Sequence, residues 1–224
     1  IYPDRAELRD YSVASLFPDY ISGSKNHDEW EAIGVWAWGS SRIVDYLERE
    51  ERIDMSKIAI MGHSRQGKAA LWSGAQDSRF KVVISNDSGC GGAALSKRVY
   101  GENIARITTV FPHWFCPSFS QYAGNEEELP FDQHEMLALI APRHLYVASA
   151  EGDLWADPKG EYLSAYYTNK VYELYKMKGL VSLVPPAIHQ PIMNDVGYHI
   201  RAGKHDVTDY DWECFMDFCD LHFK

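Results

Sequence analysis

The chain has 224 residues and a formal net charge of -10 at pH 7, with 46% hydrophobic and 24% charged residues. This length suits one large domain or two small ones, and the globular composition excludes a disordered chain. The longest apolar run, residues 136–141, is far shorter than the roughly 20 residues of a membrane-spanning helix, and the acidic excess disfavours nucleic acid as a partner.

The predicted elements begin with a helix over residues 29–50. Asp28 followed by Glu31 is a capping pattern, and apolar side chains then recur at the helical period. Short apolar runs predict buried strands at residues 57–61, 81–85, 145–150 and 196–201. Further helices are predicted at residues 68–73, 133–140, 158–177 and 209–223. Strands that alternate with helices indicate an α/β fold with a mainly parallel sheet.

Glycine and cysteine positions add detail to this order. Residues 62–67 are predicted to form a turn, and Gly74 is predicted to end the helix that follows it. Residues 96–130 are predicted to be a long aromatic loop, a length that indicates either a functional segment or secondary structure that the sequence pattern does not reveal. The cysteines form no Cys-x-x-Cys pair, which disfavours a zinc ribbon, and a disulfide such as Cys90–Cys116 is left open.

The turn between the strand at 57–61 and the next helix carries the sequence Gly62-His63-Ser64-Arg65-Gln66-Gly67. A serine on a tight turn between a strand and a helix, with small residues around it, is typical of a nucleophile elbow. The usual pattern is Gly-x-Ser-x-Gly; here Gln66 stands at the last position and Gly67 follows it. A serine that only caps the helix is the alternative, and the strand–turn–helix context favours the elbow.

An elbow serine needs a histidine base and a carboxylate that orients it, and these follow the serine in the chain order acid, then histidine. His205 lies between the last predicted strand and the closing helix, where the base is expected. Glu151 and Asp153 follow the strand at 145–150, and Asp87 follows the strand at 81–85. Only one carboxylate is needed to hold the imidazole, so these residues alone leave the choice of acid open.

Five sequence blocks, in order along the chain, resemble the glucuronoyl esterase family and in particular its bacterial branch. The blocks are residues 62–72, 86–94, 129–135 and 153–158, and the Gly-x-His at 203–205. The resemblance runs from about Glu29 to the C-terminus. It implies an α/β-hydrolase fold, a three-layer αβα sandwich, and a serine carboxylesterase without metal or cofactor. Such enzymes cleave the ester between 4-O-methyl-glucuronic acid on xylan and the alcohols of lignin.

The resemblance also implies roles for individual residues. Ser64 would be the nucleophile and His205 the base, while Arg65 would stabilise the oxyanion. Fungal members carry the acid at the position of Asp87, and some bacterial members carry it at the position of Asp153. We expect Asp153 to orient His205, with Asp87 as a partner or substitute. Sugar contacts are implied for Lys68, Glu102 and Trp155, whereas Trp114 is left open between the cleft and the core.

We expect residues 1–224 to be a single α/β-hydrolase catalytic domain without the N-terminal strands of that fold, because one clear strand precedes Ser64. The implied substrate is a glucuronoxylan–lignin ester or a small glucuronate ester, and a polymeric substrate implies a secreted or periplasmic protein. No membrane, nucleic-acid or obligate protein partner is expected. The alternatives are another carbohydrate esterase, such as an acetyl xylan esterase, and a non-catalytic carbohydrate-binding relative, against which Ser64 and His205 argue.

Overall fold

The computed structural model describes residues 4–16 and 30–224 of the chain. The strands are β1 (Ala59–His63), β2 (Val82–Asn86), β3 (His144–Ala150), β4 (Ile192–Met193) and β5 (Val196–Arg201). The α-helices are α1 (Ala32–Leu47), α2 (Arg65–Gln76), α3 (Ile104–Val110), α4 (Gln133–Ala138), α5 (Pro158–Tyr167), α6 (Asn169–Leu174) and α7 (Asp209–His222). Short 3-10 helices lie at Ala6–Tyr11, Val13–Leu16, Met55–Lys57, Ser96–Arg98, Pro117–Tyr122 and Glu126–Glu128.

The five strands form one sheet in the order β1-β2-β3-β5-β4. β1, β2, β3 and β5 run parallel, whereas β4 is antiparallel to β5. The carboxyl ends of the four parallel strands therefore meet at one edge of the sheet, which is where ligands bind in open α/β sheets. Ser64, Asp87, Asp153 and His205 each follow one of these strands, so the topology gathers the predicted site residues at this edge.

Helices cover both faces of the sheet, because the strands are apolar on both sides. On one face, Val82 and Ile84 of β2 pack with Phe215 and Phe218 of α7. On the other face, Val83 packs in a cluster with side chains of α2 and α5, among them Leu71 and Tyr162. This arrangement of helix, sheet and helix confirms the predicted three-layer α/β class.

The elbow region is more regular than predicted. β1 continues to His63 and α2 already begins at Arg65, so the predicted turn over 62–67 contracts to Ser64. The prediction that Gly74 ends α2 is wrong, because the helix continues to Gln76. A Cβ at Gly74 would lie 2.4 Å from Val83 Cγ2. This glycine therefore allows α2 to pack closely against β2.

The predicted helix over 158–177 is two helices, α5 and α6, which meet at Thr168. The hydroxyl of Thr168 donates to the carbonyl of Ala165 at 2.7 Å, and its backbone N–H donates to the same oxygen at 3.3 Å. Both bonds span three residues, so they replace a regular helical bond with a tighter turn.

Other boundaries differ from the sequence predictions in smaller ways. The predicted loop over 96–130 contains α3 and three 3-10 helices, and the short strand β4 was not predicted. The helix predicted over 29–50 is α1, and Asp28 of the predicted capping pattern lies outside the described residues. All four cysteines are free, so the open disulfide Cys90–Cys116 is not formed.

Candidate active site

Ser64 lies between β1 and α2 in a backbone conformation that L-residues rarely adopt. Its φ is 58° and its ψ is -127°, and its N–H donates to the carbonyl of Asn86 at 2.9 Å. A Cβ at Gly62 would lie 2.0 Å from the carbonyl oxygen of Gln66, and one at Gly67 would lie 2.8 Å from Ser88 Cβ. The chain therefore needs small residues at 62 and 67 to place a strained serine on this turn.

His205 lies in the loop between β5 and α7, and it is paired with Asp153. Nδ1 of His205 is 2.6 Å from Oδ2 of Asp153, whose side chain is 6% exposed. This hydrogen bond raises the pKa of His205, in opposition to the partial burial of the ring. The His205 ring is tilted against the ring of His63, with 4.5 Å between the centroids. The imidazole therefore lies beside the residue that immediately precedes Ser64.

Asp87 is near the same histidine but its carboxylate binds other partners. One carboxylate oxygen accepts a hydrogen bond from the N–H of Ala150 at 2.8 Å, and the other from Arg201 Nη2 at 3.4 Å. Asp87, Asp153 and His205 nevertheless bring one oxygen or nitrogen atom each to within 4.8 Å of one another. Burial, and then the negative charge of Glu161, raise the pKa of Asp87. Asp153 is thus the carboxylate that bonds His205, and Asp87 is its buried neighbour.

Arg65 is the first residue of α2, and its side chain is about half exposed. Its Nε lies 2.9 Å from Oδ2 of Asp4. The other oxygen of Asp4 accepts a hydrogen bond from Trp114 Nε1 at 2.7 Å. The first N–H groups of a helix have no partner within it, and the N-terminal end of the helix carries partial positive charge. The Arg65 backbone therefore offers a place for a negative oxygen next to Ser64.

Lys68, Glu102 and Trp155 are brought into one group next to the loop that follows β2. The Lys68 side chain is 4% exposed; Nζ donates to the carbonyls of Ser88 at 2.5 Å and Cys90 at 2.7 Å. Nζ is also 3.7 Å from Oε2 of Glu102. The backbone N–H of Glu102 donates to the carbonyl of Trp155 at 2.8 Å, and Trp155 itself is 52% exposed. The Lys68 ammonium is thus bound within the protein, whereas the Trp155 ring faces solvent.

Trp114, which the sequence left open between cleft and core, lies in the core. It is 4% exposed and stacks on Phe111, with 3.8 Å between the ring centroids.

Some residues near the site were not identified from the sequence. Nδ1 of His63 is 2.6 Å from Oδ1 of Asn86, and burial lowers the pKa of His63. Glu161 is fully buried and accepts hydrogen bonds from the N–H groups of Ser88 and Gly89 and from the hydroxyl of Ser149. His63 lies inside the elbow motif, which is a signal that sequence reasoning could have used. Glu161 lies within a helix, and no local pattern distinguishes it from a surface residue.

Two groups of residues in the described part of the chain are close enough to share a metal ion. One is Asp87, Asp153 and His205, which is the candidate catalytic group, and the other is His144, Asp195 and His222 at the opposite end of β3. The rings of His144 and His222 are stacked at 3.8 Å with 21° between their planes. Among the described helices, none has the length and apolar character that crossing a membrane requires.

Comparison with known proteins places the chain among esterases. A family model for glucuronyl esterases of fungi matches residues 24–176. A carbohydrate esterase from an unknown prokaryotic organism is 49% identical over 194 residues, which are 87% of this chain and 45% of that protein. A 4-O-methyl-glucuronoyl methylesterase of Wolfiporia cocos is 36% identical over 195 residues, covering 83% of this chain and 45% of the relative.

A solved structure has the fold described above. A glucuronoyl esterase from Solibacter usitatus is 49% identical and superposes with a TM-score of 0.93, over 100% of this chain and 57% of that one. The chain therefore spans about half the length of the relatives it matches.

Proposed function

The chain belongs to the glucuronoyl esterase family, and from this premise we propose that it is the catalytic portion of a serine carboxylesterase that cleaves esters of glucuronic acid. The proposal is supported by the 2.6 Å bond between Asp153 and His205, whose ring packs against that of His63, the residue before the strained Ser64. A strained serine next to a histidine with a buried carboxylate partner is the arrangement that acyl transfer requires.

In the proposed reaction, the Ser64 hydroxyl attacks the uronoyl carbonyl carbon. Nδ1 of His205 carries a hydrogen and donates a hydrogen bond to Asp153. Nε2 therefore has a free lone pair and takes the serine proton. The carbonyl oxygen becomes negatively charged, and the Arg65 N–H and guanidinium stabilise it. The protonated His205 then gives its proton to the leaving alcohol. Water activated by the same nitrogen hydrolyses the acyl-enzyme and releases glucuronic acid and free Ser64.

The carboxylates of Asp153 and Asp87 both lie near His205, and we assign them different roles. Asp153 holds the imidazole in the required tautomer and stabilises the imidazolium. Asp87 binds the Ala150 N–H and Arg201, so it stabilises the carboxyl edge of the sheet. Its burial favours the protonated form, which limits repulsion between two neighbouring carboxylates.

The proposed substrate class is a glucuronate ester of a lignin alcohol on xylan, or a small ester of the same acid. The name of the Wolfiporia cocos relative, a 4-O-methyl-glucuronoyl methylesterase, supports it. The exposed face of Trp155 suits the apolar face of a sugar ring, and the Glu102 carboxylate accepts hydrogen bonds from sugar hydroxyls. For Lys68, the proposed sugar contact requires the ammonium to exchange a carbonyl partner for a substrate hydroxyl. A polymeric substrate also leads us to propose a secreted or periplasmic location.

The test compares two kinds of ester. In a glucuronate ester the sugar supplies the acid, whereas in acetylated xylan the sugar supplies the alcohol. We expect the full-length protein to hydrolyse benzyl or methyl glucuronate with a higher kcat/KM than acetylated xylan. Faster hydrolysis of acetylated xylan would instead support an acetyl xylan esterase. Binding of glucuronoxylan without hydrolysis of any ester would support a carbohydrate-binding relative.

A further inference from the structure

Arg201, the last residue of β5, has a guanidinium that is 2% exposed and fully hydrogen-bonded. Its five N–H groups meet five acceptors. They are the carbonyls of Ala202 (3.1 Å), Lys204 (3.0 Å) and Asp206 (2.5 Å), and the carboxylates of Asp211 (2.7 Å) and Asp87 (3.4 Å). Three of the five bonds therefore hold the loop 202–206, and two of these carbonyls belong to the neighbours of His205.

Little else in the described structure holds this loop. Residues 202–206 are exposed and lie outside any helix or strand. The N–H of Gly152 donates to the carbonyl of Gly203 at 2.8 Å, and the N–H of Ala202 donates to His189 Nε2 at 3.3 Å. Neither bond is made by His205 or by the residues on either side of it. The imidazole itself contacts Asp153 at Nδ1 and the ring of His63, whereas the backbone on both sides of it is held by Arg201.

The guanidinium is itself held in a fixed orientation by Asp211. This carboxylate is fully buried at the start of α7, and it also accepts hydrogen bonds from His199 Nε2 at 2.8 Å and from the N–H of Thr208 at 2.7 Å. A planar guanidinium bound in this way presents its donors in one rigid geometry, which a lysine ammonium cannot reproduce.

We propose that Arg201 is a positioning residue for the esterase reaction: it fixes the loop 202–206 so that His205 reaches both Asp153 and the Ser64 hydroxyl. The inference rests on the proposed function, because its consequence for turnover requires an active esterase. Arg201 acts through His205 and does not contact the reacting atoms.

The test is Arg201→Lys in the full-length protein. This substitution keeps the positive charge and removes the planar guanidinium with its five N–H donors. Arg143→Lys is the matched control, because Arg143 also donates to three backbone carbonyls, those of Asp77, Phe80 and Leu139, at the opposite end of β3.

We expect Arg201→Lys to lower kcat by about 10- to 100-fold, as misplacement of a catalytic group does, with KM within about twofold. Arg143→Lys should keep the kcat of the unaltered protein. The folded fraction of each protein, measured by circular dichroism, normalises kcat, so partial unfolding does not affect the comparison.

A second readout does not depend on turnover. The Nδ1 proton of His205 should give a far-downfield NMR signal in the unaltered protein and in Arg143→Lys, and this signal should be lost or broadened in Arg201→Lys. If the unaltered protein hydrolyses no glucuronate ester, the proposed function fails, and the NMR signal alone decides the role of Arg201. An unchanged kcat and signal in Arg201→Lys would overturn the inference, as would an equal loss in Arg143→Lys. Unfolding of Arg201→Lys at a temperature where Arg143→Lys is folded would assign Arg201 to fold stability instead.

Discussion

At the residue scale, two carboxylates, Asp87 and Asp153, lie close to His205, and Asp153 bonds its ring. Ser64 and His205 could be proposed from the sequence because each occupies a characteristic place relative to a strand and a helix. The acid could not be assigned from the residues alone, because Asp87 and Asp153 both follow parallel strands whose carboxyl ends meet at the same edge. Their side-chain partners distinguish them: Asp153 bonds Nδ1 of His205, and Asp87 bonds Arg201 and the Ala150 N–H.

Asp153→Asn and Asp87→Asn should therefore have very different effects on turnover. An amide at 153 removes the charge that stabilises the imidazolium and favours the wrong tautomer, so we expect kcat on a glucuronate ester to fall by about 10³- to 10⁴-fold. Asp87→Asn should lower kcat less than about tenfold, because Asp87 does not bond the imidazole and its burial already favours a neutral form. The two kcat values, each normalised by the folded fraction of the variant, are the measurement. A larger loss in Asp87→Asn than in Asp153→Asn would reverse the assignment.

The pH profile should report the raised pKa of His205. The base must be neutral to accept the serine proton, so kcat/KM is lost as the pH falls through the pKa of His205. The hydrogen bond to Asp153 and the charge of that carboxylate raise this pKa, while burial and Lys68 oppose the increase, and the net direction is upward. We expect the midpoint of kcat/KM against pH to lie above 6.5, the ordinary imidazole value, and to move down in Asp153→Asn. A midpoint below 6.5 in the unaltered protein would contradict this direction.

At the element scale, the four parallel strands and most helices were predicted because their apolar patterns are local. The errors arose where a contact distant in sequence determines the local structure. Gly74 looks like a helix end, yet it lies in the middle of the contact between α2 and Val83 of β2. Thr168 looks compatible with one long helix, but its hydroxyl bonds the Ala165 carbonyl and divides the segment. Similarly, the short helices between 96 and 130 depend on packing that no periodicity reveals.

Gly74→Ala and Gly39→Ala form a matched pair that tests the reason for the first error. Both glycines lie in helices, but a Cβ at Gly74 would overlap Val83, whereas nothing lies within 4 Å of a Cβ at Gly39. We expect Gly74→Ala to lower the free energy of unfolding by about 1–3 kcal/mol through overpacking. Gly39→Ala should raise it by about 0.5–1 kcal/mol, because alanine is the better helix residue. Urea denaturation measures both values, and equal effects of the two substitutions would show that close packing is not what requires Gly74.

At the scale of the whole molecule, the order of the strands explains how distant segments form one site. Parallel strands β1, β2, β3 and β5 are neighbours, so residues separated by more than a hundred positions meet at their carboxyl edge. The alternation of strands and helices was enough to predict this class of fold. The supporting network was not predictable, because Arg201, Asp211 and Glu161 are buried charged residues, and they become interpretable only when their partners in other elements are placed around them.

The central claim is that Ser64 attacks a glucuronate ester, and the most direct measurement is the hydrolysis rate of Ser64→Ala on benzyl glucuronate. Ser40→Ala is the control, because among the described residues the Ser40 hydroxyl bonds the carbonyl of Trp36 within α1. We predict that Ser64→Ala loses turnover to near the uncatalysed background while its unfolding transition stays close to that of the unaltered protein, and that Ser40→Ala keeps full activity. Unchanged turnover in a folded Ser64→Ala protein would contradict the account.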